Sequence, residues 1–236
     1  MTLDPKKPQS VQFLFNKIAK NYDQMNNIIS LGLQNHWRNV TNNKISLKGN
    51  EIILDLCCGT GDWTIALAKK ITNGHVFGID FSKNMLNIAN KKIKKLNLEN
   101  KITLIQADAL QLPFSNNYFD IVTIGYGLRN LKNLDSGLKE IHRVLKPKGQ
   151  FVCLESSQPT NVIVKPLWHF YMKKILPYLG KIFANSYEEY NYLQKTTHKF
   201  MNYKELSNKL NNSGFQNTSY KKFLFGSTVA HFTYKP

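Results

Sequence analysis

The sequence predicts a doubly wound α/β fold with a mostly parallel sheet, and three observations support that prediction. Short apolar runs alternate with amphipathic helical patterns from Glu51 to Ser156, which is typical of parallel strands covered by helices on both faces. A Gly-rich turn, "CCGTGD", follows the first apolar run, and the 236 residues are 42% hydrophobic, enough for one large core. We therefore expect ligands at the carboxyl ends of the strands.

The elements of this core follow one another in a regular order. Residues 10–42 carry apolar residues at helical spacing and are predicted to form N-terminal helices. The strands are then "EIILDLC", "GHVFGID", "KITLIQAD", "YFDIVTIGY" and "QFVCLES", and the helices between them are "DWTIALAKKI", "SKNMLNIANKKIKKL" and "LDSGLKEIHRVL". Ser82 is predicted to cap the second of these helices, and "KPKG" is predicted to be a turn before the fifth strand.

The alternation ends near Pro159. The apolar, aromatic and basic segment Val162–Ala184 is predicted to be a helical lid, broken into a helix pair at Pro166 and Pro177. A further helix, "YKELSNKLNNSGF", is closed by Gly214, and the tail predicts an antiparallel hairpin at the sheet edge with its turn at Gly226 and Ser227. We expect a single domain over residues 1–236, with a helical cap (1–48), a cofactor-binding core (49–158), and a lid with C-terminal strands (159–236).

Composition narrows the function classes. The formal net charge is +17, which invites a nucleic-acid interpretation. However, 29 of the 32 basic residues are lysines spread along the chain, whereas nucleic-acid contacts favour clustered arginine. No nucleic acid is therefore expected as a partner, although the charge favours contact with anionic surfaces, including acidic lipid headgroups.

Cellular location and redox state follow from simple counts. The N-terminus lacks an apolar signal region, and no uncharged run approaches the roughly 18 residues of a spanning helix. Cys57, Cys58 and Cys153 are odd in number and offer no metal-ligand spacing, so we expect buried thiols, no disulfide framework and no metal. The sequence thus predicts a soluble, cytoplasmic protein, with a peripheral membrane contact as an option.

The Gly-rich turn raises the question of the cofactor. The dinucleotide fingerprint G-x-G-x-x-G is matched by Gly59 and Gly61, with Thr60 between them, but Thr64 occupies the third position. Asp55, four residues before Gly59, would repel a pyrophosphate. It suits S-adenosylmethionine, which carries a sulfonium and an ammonium group and no phosphate. The glycines then allow close approach of the backbone to the ligand.

Two further strand ends carry acidic residues. Asp80 ends the second strand, 19 residues beyond Gly61, where a carboxylate can accept hydrogen bonds from ribose hydroxyls. Asp108 and Ala109 follow the third strand, where they can accept from the adenine amino group, and Gly125 ends the fourth. Each aspartate alone could be an ordinary turn or cap residue. Three at successive strand ends predict an S-adenosylmethionine site.

At this point the chain resembles a known family. "LDLCCGTGDW", "GIDFSKNML", "QADALQLPF", "FDIVTIGYGLRN", "RVLKPKGQFVCLESSQP" and "YDQMNNIISLGLQNHW" are similar to the class I methyltransferases that C-methylate quinol precursors in menaquinone and ubiquinone biosynthesis. The resemblance runs from about Phe13 to Phe215. Cys57 and Cys58 with Trp63, and "ESSQPT", are most similar to the menaquinone branch. Two positions depart from the family pattern: Gln34 replaces a usual His, and Lys148 a usual Gly.

The resemblance implies methyl transfer to a ring carbon of demethylmenaquinol, with a ubiquinone precursor as the alternative and an isoprenoid tail on either substrate. The segment Val162–Ala184 is then predicted to form a pocket for that tail or to rest on anionic headgroups, with a lid that completes the core as the ordinary alternative. Arg129 is the candidate for stabilising the phenolate oxygen, with a surface salt bridge as its ordinary alternative. Tyr22 is predicted to close over the site or simply to pack, and Asn130 to orient Arg129. His142 and Lys146 are assigned structural roles only.

Three rival functions remain open at this stage. An RNA methyltransferase acting on a base amine often carries a [DN]-P-P-[YFW] strand end, whereas the fourth strand here ends "IGYGLRN". A non-catalytic regulator that binds S-adenosylmethionine would show salt-sensitive nucleic-acid affinity. A dinucleotide oxidoreductase is disfavoured by Thr64 and Asp55.

Overall fold

A computed structural model describes residues 8–178 and 187–236 of the chain. Within this part, one seven-stranded sheet has the order β3-β2-β1-β4-β5-β7-β6. The strands are β1 (Ile52–Leu56), β2 (His75–Asp80), β3 (Ile102–Gln106), β4 (Phe119–Gly125), β5 (Leu145–Ser156), β6 (Gln216–Phe223) and β7 (Thr228–Tyr234). The first five pair in parallel, and β7 and β6 complete the sheet in antiparallel fashion. The predicted doubly wound sheet with an edge hairpin is therefore confirmed.

Most helices lie where the sequence pattern predicts them, but the helix at Tyr187–Lys199 was not predicted. They are α1 (Pro8–Ile18), α2 (Tyr22–Ile29), α3 (Leu33–Asn42), α4 (Asp62–Ala68), α5 (Lys83–Lys95), α6 (Leu134–Val144), α7 (Val164–Phe170), α8 (Tyr187–Lys199) and α9 (Tyr203–Asn212). The Ser82 hydroxyl accepts from the Met85 backbone N–H at 3.3 Å, as a cap of α5 should. Gly214 follows α9 with φ +92°, the left-handed conformation expected of a C′ glycine.

Apolar side chains form a core on each face of the sheet. On one face, Leu138 and Ile141 of α6 and Leu206 and Leu210 of α9 pack against the strands. On the other, residues of α3, α4 and α5 do so, among them Trp63. Chain order reverses at β1, which lies between β2 and β4. A reversal of this kind opens a crevice at the carboxyl ends of the strands, where ligands bind in open α/β sheets.

The N-terminal helices cover that crevice. Val11 and Leu14 of α1 are buried against Met85 of α5, and the Gln12 side chain donates to the Phe81 carbonyl oxygen at 2.6 Å. Helix α2 begins at Tyr22 after a 3₁₀ turn (Ala19–Asn21). The cap is thus fixed to the element that follows β2, directly above the strand ends.

The predicted "KPKG" turn is wrong, because these residues lie inside β5. They form an irregularity in the ladder, where Phe119 pairs with Leu145 but Ile121 pairs with Gln150. The left-handed residue is Lys148, at φ +61°. A Cβ on Gly149 would lie 2.8 Å from the Lys146 carbonyl oxygen. Gly149 is needed for close approach of the backbone, and Lys148 holds the unusual conformation.

The predicted proline-broken helix pair is also corrected. Pro166 lies in the first turn of α7, where its missing N–H has no intrahelical acceptor to lose. The helix continues without a break through a π turn (Tyr171–Ile175) to the helical residues 176–178, which include Pro177. A π turn near a proline accommodates the ring and the lost hydrogen bond. The last part of the predicted lid, residues 179–184, lies outside the described residues.

Among residues 8–178 and 187–236, no helix is long and apolar enough to cross a membrane.

Candidate active site

Three clefts open beside the carboxyl ends of the strands. The strand-end cleft has an empty volume of about 870 Å³ and is lined by residues that follow β1 to β4, with Val11 and Phe15 of α1 above them. The apolar cleft, about 1100 Å³, lies between α1–α3 and the α7 segment. The polar cleft, about 520 Å³, lies beside the Gly-rich turn.

Asp80 projects into the strand-end cleft with both carboxylate oxygens engaged. One oxygen accepts from the Gly59 N–H at 2.9 Å and the other from the Ser82 N–H at 2.8 Å. Burial raises the pKa of this carboxyl group above its ordinary value. These contacts fix the carboxylate at the end of β2, and each oxygen keeps a lone pair for ligand hydroxyl groups.

Asp108 and Ala109 line the same cleft at the end of β3. Asp108 is exposed, and its carboxylate accepts from the Leu110 N–H at 2.9 Å. It is therefore a turn-stabilising residue that also borders the cleft. Ala109 is buried in the core beneath it.

The glycines of the predicted site have different structural roles. Gly59 has φ +55° and a Cβ there would lie 3.9 Å from the Tyr22 ring, so it leaves room at the junction of two clefts. Gly125 faces Trp63, only 2.9 Å from a Cβ at that position. Gly61 has φ +81°, and a Cβ on it would lie 2.9 Å from the Ala89 Cβ of α5. Gly61 therefore allows the Gly-rich turn to pack closely against α5, whereas the sequence analysis predicted that it would let the backbone approach a ligand.

Thr60 connects the Gly-rich turn to α2. It lines the polar cleft, and its hydroxyl donates to the Asp23 carboxylate at 2.6 Å. Lys92 of α5 holds the other oxygen of Asp23 at 2.5 Å. Because Asp23 is next to Tyr22, these contacts determine where Tyr22 stands over the turn.

Asp55 borders the polar cleft and is 1% exposed. Its oxygens accept from the hydroxyls of Thr64 at 2.6 Å and Thr123 at 2.8 Å. Burial raises the pKa of Asp55 from 3.8 to about 6, and those hydrogen bonds oppose the shift. The chain thus keeps a partly protonated acid beside the Gly-rich turn, and a nearby cation would favour its ionised form.

Two tyrosines stand where all three clefts meet. Tyr22 and Tyr126 are the residues that line the strand-end, apolar and polar clefts alike. Burial raises the pKa of both phenols, so both stay protonated and able to donate a hydrogen bond at neutral pH. Tyr22 is the first residue of α2, and its closure over the site stays a prediction.

Arg129 follows β4 and lines the apolar cleft. Its guanidinium forms a buried ion pair with Glu155 of β5, the two side chains being 5% and 1% exposed. It also donates to the Tyr126 carbonyl oxygen at 2.8 Å and lies 5.8 Å above the Tyr126 ring. Burial acts to lower the pKa of Arg129, but Glu155, together with Tyr22 and Tyr192, raises that pKa on balance, so the group remains cationic. The surface salt bridge considered above is wrong, since the partner is buried.

Asn130 contacts the same carbonyl group rather than the guanidinium. Its amide nitrogen donates to the Tyr126 oxygen at 3.2 Å, and its amide oxygen accepts from the Tyr192 hydroxyl at 3.3 Å. Any influence of Asn130 on Arg129 is thus indirect, through the Tyr126 peptide. Asn130 borders both the strand-end and the apolar clefts.

The apolar cleft collects aromatic and aliphatic side chains from distant parts of the chain. They include Ile18, Trp37, Trp168, Tyr171, Met172 and Leu176. Gln34, the residue that departs from the family pattern, is 9% exposed and lines both this cleft and the polar one. At this boundary the Gln34 side chain is placed to contact a ligand in either cleft.

Sequence reasoning missed three residues of the site. Glu155 was read as part of "ESSQPT" and not as the partner of Arg129. Cys57 and Tyr126 follow adjacent strands with φ of +54° and +57°, an unusual conformation for such side chains that is common at binding sites. The sequence did show that Cys57 and Tyr126 each come directly after a core strand. It could not show their left-handed backbone conformation, because residue type alone does not determine it.

The strand-end cleft fits S-adenosylmethionine better than a dinucleotide. Two carboxylates face it, and Lys132 is the one basic residue among the described residues that line it, an arrangement unsuited to a pyrophosphate. A left-handed glycine and a buried ribose-type acceptor complete the set. Together with the sheet order, this defines a class I S-adenosylmethionine-dependent methyltransferase.

Known proteins agree with that class. Over 84% of this chain and 89% of the other, the fold is similar to a SAM-dependent methyltransferase from Aquifex aeolicus, with a TM-score of 0.62 and 17% identity. A phosphoethanolamine N-methyltransferase 2 from Haemonchus contortus, solved with S-adenosylhomocysteine, gives a TM-score of 0.63 at 16% identity over 87% of this chain and 53% of that one. At these identities the likeness concerns the fold.

Sequence similarity is far more specific. Residues 3–235 match the model of the ubiE/COQ5 methyltransferase family, and the chain belongs to that family. The chain is 50% identical to a demethylmenaquinone methyltransferase from Lactiplantibacillus plantarum over 94% of both sequences. It is 43% identical to one from Staphylococcus saprophyticus over 97% of both. The chain is therefore an S-adenosylmethionine-dependent methyltransferase.

Proposed function

We propose that this methyltransferase C-methylates demethylmenaquinol, giving menaquinol and S-adenosylhomocysteine. The observation that carries the proposal is the meeting of a carboxylate-bearing cleft and a larger apolar cleft at Tyr22 and Tyr126. A polar methyl donor and an apolar acceptor need two unlike sites that share a wall. The acceptor itself is assigned from the demethylmenaquinone methyltransferases that this chain resembles.

The strand-end and polar clefts are the proposed donor site. Asp80 accepts from the ribose hydroxyls, and the Asp108–Ala109 segment borders the adenine. Gly59, Thr60 and Gly125 form the wall behind the donor, and Asp55 favours its positive charge. S-adenosylmethionine supplies an electrophilic methyl group on its sulfonium sulfur.

The apolar cleft is the proposed quinol site. Trp37, Trp168, Tyr171 and Met172 offer flat or flexible apolar surfaces to a bicyclic ring and the start of its isoprenoid tail. Tyr22 and Asn130 line both this cleft and the strand-end cleft, and Arg129 lines this cleft beside the Tyr126 ring.

Catalysis then depends on making a ring carbon nucleophilic. Loss of a phenol proton delocalises negative charge onto the ring, and Arg129 stabilises the resulting oxyanion. Tyr22, held protonated by burial, donates a hydrogen bond to a quinol oxygen. The carbon–methyl bond forms as the ring carbon attacks, and loss of the ring C–H proton restores aromaticity. With the phenol reprotonated, one proton is released per turnover.

Two further assignments accompany this proposal. Residues 1–236 act as a single catalytic domain, since α1–α3, the core and the β6–β7 hairpin all border the same clefts. The substrate's tail resides in a bilayer, so the enzyme makes a peripheral contact with an anionic membrane surface.

Arg129 and Glu155 together carry no net charge, so the buried site does not retain an uncompensated ion.

The test is a parallel methyl-transfer assay. Purified protein receives labelled S-adenosylmethionine with a reduced demethylnaphthoquinol, a reduced ubiquinone precursor, or bulk RNA. The proposal predicts label on the naphthoquinol, with at least a tenfold preference over the benzoquinol. Equal or greater labelling of the benzoquinol would move the assignment to the ubiquinone precursor, and labelling of RNA alone would overturn it.

A further inference from the structure

We propose that exposed apolar residues around the mouth of the apolar cleft form one face that docks onto an anionic lipid bilayer. We call this set the rim face, and it consists of Leu31, Leu167, Phe170, Ile175, Leu224 and Phe225. The inference rests on the proposed function for its purpose, which is to let an isoprenoid quinol enter the cleft directly from the bilayer.

The rim face comes from three separate segments that all border one cleft. Leu31 directly follows Ile29 and Ser30, which line the cleft. Leu167 and Phe170 alternate along one helix with Trp168, Tyr171 and Met172, which also line it. Leu224, at the β6–β7 connection, lines the cleft itself, and Phe225 is its neighbour.

These side chains are unusually exposed for their type. Leu31 is 83% exposed, Phe225 72%, Leu167 66% and Phe170 60%. Single exposed apolar residues are common on protein surfaces, but a group around one cleft marks an interaction site.

Backbone conformation adds a second, independent cost. Leu31, Leu224 and Phe225 have φ of 51°, 43° and 56°, in the left-handed region that disfavours bulky residues. The chain therefore holds large apolar side chains in water and in a strained conformation at the same time. Insertion of these side chains into an apolar phase would offset the cost of their exposure to water.

The charges beside these residues identify the apolar phase. Lys165, Lys173 and Lys174 are exposed on the same helical segment as Leu167, Phe170 and Ile175, and the whole chain carries a formal charge of +17. Basic residues next to a row of apolar and aromatic ones are the pattern of a helix lying at an anionic membrane surface. A nucleic acid would use the lysines but not the exposed leucines.

The first test reverses charge on the rim side and on a matched control. Lys173→Glu/Lys174→Glu changes the helix beside the cleft. Lys94→Glu/Lys95→Glu makes the same net change at the end of α5, which precedes β3 and so lies at the opposite edge of the sheet. Co-sedimentation with phosphatidylglycerol/phosphatidylcholine vesicles should weaken at least tenfold for the first pair. The control pair should lose clearly less.

The second test uses the strained residue. Phe225→Gly removes an exposed ring and relieves the left-handed backbone. We expect vesicle binding to fall while the melting temperature without vesicles stays equal or rises by roughly 2–4 °C. Leu96→Asn, at another exposed apolar position near the opposite sheet edge, should leave vesicle binding unchanged. A lower melting temperature for Phe225→Gly with unchanged binding would assign Phe225 to packing and overturn its membrane role.

The outcomes separate this inference from the proposed function. Binding that depends equally on both lysine pairs, or that is equal for uncharged vesicles, would overturn the docking face. So would a protein dimer in solution that Phe225→Gly dissociates. Turnover of a short-tailed, water-soluble quinol should be the same in wild type and in the rim variants. Vesicle binding without turnover of either quinol would instead contradict the proposed function alone.

Discussion

At the scale of single residues, the three arginines show what lysine could not do. Arg143 donates to both Glu140 oxygens, at 2.7 and 2.8 Å, and to two backbone carbonyls. Arg38 lies 3.5 Å from Asp62 and lines the polar cleft. Arg129 combines a buried ion pair with a carbonyl contact. Scarcity of arginine drew attention to Arg129, whose catalytic role stays a prediction. Its partner Glu155 is 26 residues away, and the spacing of residues in the sequence does not reveal such a pair.

The Arg129–Glu155 pair must be tested as a unit. Arg129→Ala alone leaves a buried carboxylate unpaired and should destabilise the fold by about 3–5 kcal/mol. The double variant Arg129→Gln/Glu155→Gln removes both charges and should unfold closer to wild type. We expect it to bind S-adenosylmethionine within about threefold of wild type, while turnover falls by about 10²–10³. Stopped assays and calorimetry measure the two quantities. Full turnover in the double variant would remove Arg129 from the mechanism.

Asp80 and Asp108 form a matched pair for the donor site. Asp80 is buried and fixed by two backbone N–H groups, whereas Asp108 is exposed. Asp80→Ala should weaken S-adenosylmethionine binding by about 10- to 100-fold, the usual range for hydrogen bonds to a charged group. Asp108→Ala should cost less. Isothermal titration of both variants decides this, and unchanged affinity for Asp80→Ala would exclude it from the site.

Asp55 makes the stability of the ligand-free protein depend on pH. Its folded pKa of about 6 lies above the ordinary 3.8, so protonation favours folding. This contribution is complete below about pH 4 and is lost as pH rises through 6. Asp55→Asn should therefore stabilise the ligand-free protein at pH 7.5 by roughly 1–3 kcal/mol, and by much less at pH 4.

Urea unfolding at the two pH values measures this difference. The same variant should bind S-adenosylmethionine more weakly at pH 7.5, because it lacks the ionised carboxylate. Equal stability of wild type and Asp55→Asn at pH 7.5 would show that burial does not raise the pKa of Asp55.

At the scale of elements, hydrophobic periodicity and caps predicted the order and type of the strands and helices. The errors have a common physical cause. "KPKG" has turn composition, but it lies within β5. It interrupts the pairing with β4 between Leu145 and Gln150, and Lys148 and Gly149 form backbone hydrogen bonds with Lys235 instead. Pro166 has the composition of a helix breaker but occupies a first turn, and near Pro177 a π turn keeps the helix continuous. Tertiary pairing and the exact start of a helix decided these cases, and neither is encoded in local composition.

Lys148 offers a direct test at this scale. Its left-handed backbone is costly for lysine and free of strain for glycine. Lys148→Gly should raise the free energy of unfolding by about 1 kcal/mol, measured by urea denaturation. Gly149→Ala, at the adjacent position, should lower it, because the new Cβ would meet the Lys146 and Asp120 carbonyl oxygens. A loss of stability in Lys148→Gly would contradict the assigned conformation.

At the scale of the whole molecule, the sheet brings widely separated described segments of the chain to the carboxyl ends of its strands. The β6–β7 hairpin pairs with β5 over seven positions, from Gln150 to Ser156, and its connection borders the apolar cleft. The cap is joined to the Gly-rich turn through Asp23 and Thr60. Sequence patterns could locate the donor site at the strand ends. They indicated only parts of the proposed acceptor site, such as Arg129 and Tyr22, because its walls come from segments more than a hundred residues apart.

This arrangement predicts cooperative unfolding. Far-UV circular dichroism and the fluorescence of buried Trp37 and Trp63 should give the same urea midpoint, and S-adenosylmethionine should shift both to higher urea. Separate midpoints would show that the cap or the hairpin is an independent unit and would contradict a single domain.

The most direct test of the central claim is the site and redox dependence of methyl transfer. Protein is incubated anaerobically with S-adenosylmethionine carrying a ¹³C methyl group and with demethylmenaquinone in its reduced or its oxidised form. We predict one labelled methyl group on the ring carbon of the reduced acceptor, matched by one S-adenosylhomocysteine, and no product from the oxidised form, which has no phenol to ionise. Label on oxygen, or equal transfer to the oxidised quinone, would contradict a phenolate-driven C-methylation at the meeting point of the two clefts.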